Sequence, residues 1–307
     1  METNRRMVDL LCRLTPLEGM RPSALDSVKL LRVNRSYPRS PVLYEPSIVI
    51  VAQGRKHGYL GDQSFVYDAR NYLVLTVPLP FECETEATPD GGPFLGVSVR
   101  VELALLSELV MKMETRGRPA LVGQDDHSVS ATPLDAPLGD AAVRLLECLC
   151  SPADTPVLGP QIVREIVYRA LCGKQGGALK SLLLMDGART QIHRILHRIH
   201  SEYARVMDVA ALAGEAGMSV SALHHHFKAV TSTSPLRYLK TIRLHKARML
   251  MVQDSVGASI AAERVGYESP SQFSREFKRL FGATPIDETH RLKATFGSTQ
   301  TSTAQAG

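Results

Sequence analysis

Two hydrophobic rhythms divide the chain. From about Val42 to Val101 the segments SIVIVAQG, HGYLGDQSFVYD, NYLVLTVPLP and FLGVSVRVE are short β-branched and aromatic runs, punctuated by Gly-Asp, Pro-Asp-Gly-Gly and Pro-rich turns. Short strands joined by turns have this pattern, and their spacing predicts a small barrel or sandwich. After Leu103 the period becomes helical. Residues 138–150 and 160–172 carry apolar side chains at three- and four-residue intervals, including Val143, Leu146 and Leu149, then Ile162, Ile166 and Ala170. Such a stripe needs a partner surface, either a second copy of the chain or the strand-rich domain. The first residues, METNRRMVDLLCRLTP, predict a short amphipathic helix. Gly173–Gly177 and Asp186-Gly187 are breaks, and from Thr190 onward the chain reads as short helices. The fold class expected is α+β: a small N-terminal β-barrel with flanking helices over 1–186, an all-α domain over 187–295, and a polar, disordered tail over 296–307.

The helical third contains an internal repeat. At an offset of 50 residues, Leu223 matches Phe273, Phe227-Lys228 matches Phe277-Lys278, and Ser234-Pro235 matches Thr284-Pro285. Upstream, Ala213 and Gly217 match Ala262 and Gly266 at an offset of 49, so the second copy has one extra residue in its turn. Each copy reads as a helix-turn-helix: a small residue where two helices cross, a glycine for a positive-φ turn, a serine cap and a buried stripe. The stripes are Leu223, Phe227 and Val230 in the first copy and Phe273, Phe277 and Leu280 in the second. In the second copy Ser269 and Gln272 also predict a capping box. The faces left over carry Ser221, His224, His225 and Lys228 in one copy, and Ser271, Gln272, Arg275 and Arg279 in the other. These groups suit base edges and phosphates. Between the copies, Pro235–Val252 predicts one long helix that spaces the two reading helices for consecutive major grooves of double-stranded DNA.

Charge sharpens this picture. Residues 187–296 hold 16 Lys and Arg against 9 Asp and Glu, while the remainder is slightly acidic, a footprint expected of a nucleic-acid-binding module. A length of 307 residues accommodates two domains. Five cysteines without metal-type spacing point to a reduced compartment. No apolar run or leader pattern argues for membrane insertion or export, so a cytoplasmic protein is expected. A metal-dependent enzyme is disfavoured, because His57 and His127 lie far apart; neither a metal nor another cofactor is expected. Cys83, after Pro78-Leu-Pro-Phe-Glu, is a candidate barrel-lining residue. Pro78, Pro80 and Phe81 are candidates for the same effector pocket from their position.

The segments LAGEAGMSVSALHHHFK, SPLRYLKTIRLHKARMLM and AAERVGYESPSQFSREFKRLFGATP resemble the DNA-binding domain of the AraC/XylS family of transcriptional regulators. The resemblance covers about residues 192–291. It implies base contacts from Ser221, His224 and His225 and from Ser271, Gln272 and Arg275. Two positions depart from the family pattern: Ala261 stands where a larger aliphatic is usual, and Pro285 is followed by Ile-Asp-Glu-Thr-His-Arg rather than Tyr-Arg. A looser similarity over LLRVNRSYPRSPVLYEPSIVIVAQGRKHGYLGDQSFVYDARNYLVLTVPLPFE implies a cupin-like regulatory barrel of that family. It implies in turn a small-molecule effector, a homodimer formed through helices, and RNA polymerase as a candidate partner.

Overall fold

A computed structural model describes residues 2–88, 92–114, 129–180, 182–183 and 187–296. His127 and the tail beyond 296 lie outside them. The chain divides into two compact units. One is built from residues 1–39, 44–79 and 83–185; the other holds 186–307 with the short strand segments 40–43 and 80–82. Among the described residues no helix is long and apolar enough to cross a membrane.

The first unit opens with helix α1 (Glu2–Leu14) and continues through strands β1 (Gly19–Pro22), β2 (Val28–Val33), β3 (Tyr37–Tyr44), β4 (Ser47–Gln53), β5 (Arg55–Leu60), β6 (Gln63–Asp68), β7 (Asn71–Leu75), β8 (Leu79–Glu86) and β9 (Phe94–Arg100). Helix α2 (Leu103–Glu114), strand β10 (Val129–Pro133) and helices α3 (Ala136–Leu149), α4 (Thr155–Cys172) and α5 (Gly176–Lys180) complete it. The expected small barrel takes the form of two sheets, a six-stranded one in the order β1-β2-β9-β4-β7-β10 and a four-stranded one in the order β3-β8-β5-β6. Neighbours in the larger sheet pair antiparallel throughout.

Strand β4 is buried on both faces, which is why its sequence is a continuous apolar run rather than an alternating one. One face of the larger sheet, with Leu30, Ile48, Ile50, Val74, Leu95 and Val97, packs under the helices. Those helices contribute Leu10 and Leu11 from α1, Leu106 from α2, Leu145 and Leu146 from α3, and Ile166 and Ala170 from α4 to the same core. The stripe that asked for a partner is therefore covered inside its own chain. Leu146, Ile166 and Ala170 are fully buried, and Val143, Leu149 and Ile162 pack against the same cluster. The apolar spacing of α3 and α4 thus gives no argument for a homodimer. Strands β1, β2 and β10 and most of β3 fall outside the stretch that the strand pattern marked. β3 carries Pro38 and Pro41, which an edge strand tolerates, and it does lie at a sheet edge.

The second unit is helical: α6 (Ala188–Glu202), α7 (Val209–Glu215), α8 (Val220–Thr231), α9 (Pro235–Gln253), α10 (Ala258–Arg264), α11 (Pro270–Phe281) and α12 (Pro285–Phe296). α7 with α8 and α10 with α11 form the two repeats, and α9 joins them.

Candidate nucleic-acid interface

Local chemistry sets each helix start. Asp208 caps α7 by accepting from the Ala211 N–H at 3.1 Å, and Ser219 caps α8 by accepting from Ala222 at 3.2 Å. Ser269 caps α11 by accepting from Gln272 at 3.3 Å, with Pro270 in the first turn. Each such cap is worth about 1 kcal/mol. The turns use the left-handed region at Gly217 (φ 63°) and Gly266 (φ 85°), where side-chain-bearing residues are strained.

Burial then fixes which face of each reading helix points outward. In α8, Leu223 and Phe227 are fully buried and Val230 nearly so. Phe227 meets Tyr238 of α9 edge-on, with ring centroids 5.4 Å apart. In α11 the buried stripe is Phe273, Phe277 and Phe281, with Leu280 only half-buried. This corrects the stripe read from the repeat by one residue: the helix is phased by its four-residue aromatic ladder. The rings stack along α11 at centroid distances of 5.5 and 4.5 Å, and Tyr267 closes the top at 5.4 Å from Phe273. Ala261 and Ala262 are fully buried beneath this ladder. Large rings on α11 face small side chains on α10, so a larger aliphatic at 261 is not needed for a closed core.

The outward face that results is the expected one. Ser221, His224, His225 and Lys228 on α8 are exposed, as are Ser271, Gln272, Arg275 and Arg279 on α11. Arg275 is two residues from both Phe273 and Phe277, which at 100° per residue places it opposite the buried rings. α9 has 19 residues, a length of about 28 Å at 1.5 Å per residue, against about 34 Å between successive turns of the major groove.

Two residues that the sequence reading passed over organise this face. Glu276 lies between the reading face and the core of α11. Its carboxylate accepts from Lys240 Nζ of α9 at 2.8 Å, from the Tyr267 hydroxyl at 2.8 Å and from Gln272 Nε2 at 3.2 Å. Burial raises the Glu276 pKa, but the hydrogen bonds from Lys240, Tyr267 and Gln272 outweigh burial and hold it below the ordinary carboxylate value. Gln272 thus directs its side-chain N–H to Glu276, one turn further along α11. Arg243 of α9 is the second. Its guanidinium donates to the carbonyl oxygens of Tyr203 at 2.7 Å, Arg205 at 2.8 Å and Gly266 at 2.9 Å. One planar fork thus ties the long helix to the loop after α6 and to the turn of the second repeat. The bonds to Arg243 and the Lys240–Glu276 bond span 23 to 40 positions of sequence, so no local pattern marks them.

Near the middle of α9, His245 is buried against Phe281 and beside Arg248. Burial, reinforced by the Arg248 charge, pushes its pKa well below the ordinary histidine value, so the ring is neutral. Glu288 of α12, with no exposed side-chain surface, pairs with Arg248 at 3.4 Å and with Arg291 at 2.6 Å. The Ile-Asp-Glu-Thr-His-Arg sequence after Pro285 thus supplies its own anchor for the last helix.

Along β8, Phe81 and Cys83 are buried, whereas Pro80, Glu82 and Glu84 alternate to its other side. Pro78 is half-buried just before the strand. The strand pattern thus brings Phe81 and Cys83 to one face and separates Pro80 from them. The carboxylates flanking Cys83 in sequence point away from it. His57 on β5 lies with Nε2 3.2 Å from a Glu86 carboxylate oxygen.

Comparisons with known proteins agree with this construction. The family model for the AraC-type transcriptional regulator N-terminus matches residues 24–178, half of the chain, and one for a helix-turn-helix domain matches residues 212–291. The HTH-type transcriptional activator RhaS of Citrobacter koseri is 29% identical over 137 residues, which is 44% of this chain and 47% of that protein. RhaS of Escherichia coli strain K12 / DH10B is 28% identical over 103 residues, 34% of this chain and 37% of that one. The chain thus spans less than half the length of these curated relatives. Among solved structures, ToxT from Vibrio cholerae is similar with a TM-score of 0.62 at 12% identity, covering 86% of this chain and 97% of ToxT. Its unsaturated fatty acid bound form, from strain SCE256, gives 0.63 at 15% identity, covering 92% and 99%. An N-terminal two-sheet domain of AraC type and a C-terminal pair of helix-turn-helix units on one chain make this protein a member of the AraC/XylS family of DNA-binding transcription regulators.

Proposed function

We propose that the chain controls transcription by reading two consecutive major grooves with α8 and α11, in response to a small organic effector taken up by its N-terminal domain. The observation that carries the DNA reading is the matched pair of capped helices on either side of α9. Each buries one aromatic or aliphatic stripe and leaves an exposed face of hydrogen-bonding and basic groups. Ser221, His224 and His225 on α8 and Ser271, Gln272 and Arg275 on α11 face base edges; Lys228 and Arg279 meet phosphates. Arg275 is the strongest determinant, because its fork can pair bidentately with O6 and N7 of one guanine. The working division is a regulatory domain over 1–186 and a DNA-binding domain over 187–295, and the protein acts in the cytoplasm where its DNA is. Effector uptake is supported by the two-sheet architecture shared with ToxT, which has been solved with an unsaturated fatty acid.

Binding to a panel of single-base operator variants tests the DNA half. Arg275→Ala is expected to lose about 1–3 kcal/mol on the specific site and to relax preference at one or two base pairs. Lys228→Ala is expected to weaken every sequence alike and to flatten the salt dependence. Equal loss on every variant for Arg275→Ala contradicts direct readout by that residue.

A further inference from the structure

The inner face of the four-stranded sheet holds a buried positive charge that DNA reading does not use. Lys56 is the only Lys or Arg among the described residues that is fully buried. It sits on β5, opposite Tyr67 of β6, on the face that also presents Gly58 and Leu60. Its Nζ donates to the Tyr44 hydroxyl at 3.1 Å. The Tyr44 and Tyr67 hydroxyls are 3.1 Å apart, and Tyr67 is 3.5 Å from Cys83 Sγ. A chain of four polar groups thus runs across β5, β3, β6 and β8, inside an otherwise apolar layer. Phe94 of the larger sheet lies beneath the ammonium, its ring centroid 4.9 Å away.

None of these neighbours is a carboxylate. The Tyr67 phenol is held protonated, since burial raises its pKa well above the ordinary value. Burial disfavours the Lys56 ammonium, whereas the charge attraction and hydrogen bond of Tyr44 and the charge attraction of Cys83 favour it, and the net shift is upward. The buried carboxylate next along the chain, Asp68, lies on the other face of β6 and is taken by Arg55 and Arg70 at 3.8 and 3.1 Å. Among the described residues no carboxylate pairs with Lys56. A buried lysine held by one side-chain hydrogen bond and ring faces thus has no carboxylate partner, the usual companion of such a group.

We infer that Lys56, Tyr44 and Tyr67 form the anion-recognition end of the effector site, and that the effector is a small organic monocarboxylate. This rests on the proposal that the N-terminal domain takes up an effector. One lysine and two tyrosine hydroxyls supply a single positive charge and several hydrogen-bond donors, which matches one carboxylate better than a multiply charged phosphate. The rings of Phe94 and of Phe65, which stacks near Tyr67 at 6.1 Å, supply apolar wall for its body. Cys83, at the end of the polar chain, borders the site.

The test uses the full chain and two matched pairs of probes, benzoate with benzamide and decanoate with decanamide, at equal ionic strength. Calorimetric titration should show at least one acid binding wild-type protein tenfold or more tightly than its amide. Lys56→Met should erase that preference while leaving amide affinity within twofold, and Tyr67→Phe should weaken the acid about threefold. Acids and amides binding alike, Lys56→Met retaining the acid preference, or no acid binding at all overturns the inference. Amides binding without acids would leave effector uptake standing and refute only the anion site. If Lys56→Met does not fold, the acid-to-amide contrast on wild-type protein and the Tyr67→Phe effect decide alone.

Discussion

The two turn glycines have the same position in the repeat but different surroundings, and the difference is measurable. An alanine at Gly217 keeps a left-handed φ of 63° but meets nothing within 4 Å. Its cost is the conformational strain alone, about 1–2 kcal/mol. An alanine at Gly266, with φ 85°, would place its Cβ 2.2 Å from the Ala204 carbonyl oxygen and 2.9 Å from the carbonyl carbon. Backbone cannot swing aside as a flexible side chain would, so an overpacking cost of about 1–3 kcal/mol adds to the strain. The Gly266 carbonyl is also the acceptor for Arg243 at 2.9 Å, so displacing this turn loosens that contact. The expected penalties are about 1–2 kcal/mol for Gly217→Ala and about 2–5 kcal/mol for Gly266→Ala. Hydrogen exchange of the full chain reads them separately, as faster exchange in α8 for the first and in α10 and α11 for the second. Equal effects at the two sites, or a milder effect at Gly266, would refute the close approach to Ala204.

Three further outcomes follow from the contacts around α9. Arg243→Ala should destabilise the second repeat by about 2–4 kcal/mol, and Arg243→Lys should not restore it because an ammonium cannot span three carbonyls; rescue by lysine in thermal unfolding would contradict the fork. Glu276→Ala should cost about 1–3 kcal/mol through the lost Tyr267 bond. It should also free the Gln272 amide: in wild type Gln272 presents its carbonyl and favours a base that donates, adenine N6 or cytosine N4, and in the variant that preference relaxes on an operator panel. His245 is neutral when folded and gains a proton on unfolding, so its contribution is complete above pH ~6.5 and is lost as pH falls through that unfolded value. Wild-type stability should therefore drop by up to about 1.4 kcal/mol per pH unit below pH ~6.5 beyond that of His245→Phe, and parallel pH curves from calorimetry would overturn this account.

The paired helix-turn-helix units were legible because their determinants are local. Caps at Ser219 and Ser269, glycines at fixed offsets and rings four residues apart all act within a dozen positions. The misreading of Leu280 for Phe281 came from two apolar neighbours that a repeat offset alone cannot rank; packing along α9 ranks them. Glu276 went unmarked because Lys240 and Tyr267 reach it from other elements. The strand domain was legible only where an apolar run or a clean alternation marked it. In β5 the sequence Arg-Lys-His-Gly-Tyr-Leu looks polar, yet its period of two turns Lys56 inward, contrary to what the charge suggests. The stripe on α3 and α4 showed that a surface must be covered, without showing that the same chain covers it.

The central claim is that one chain lays two recognition helices into successive major grooves. A hydroxyl-radical footprint of the full protein on an operator selected from random DNA tests it most directly. The account predicts two protected patches on one face of the duplex about one helical turn apart, with Arg275→Ala and Ser221→Ala each weakening protection in a different patch. A single protected patch, or two patches that both fade with either substitution alone, contradicts it.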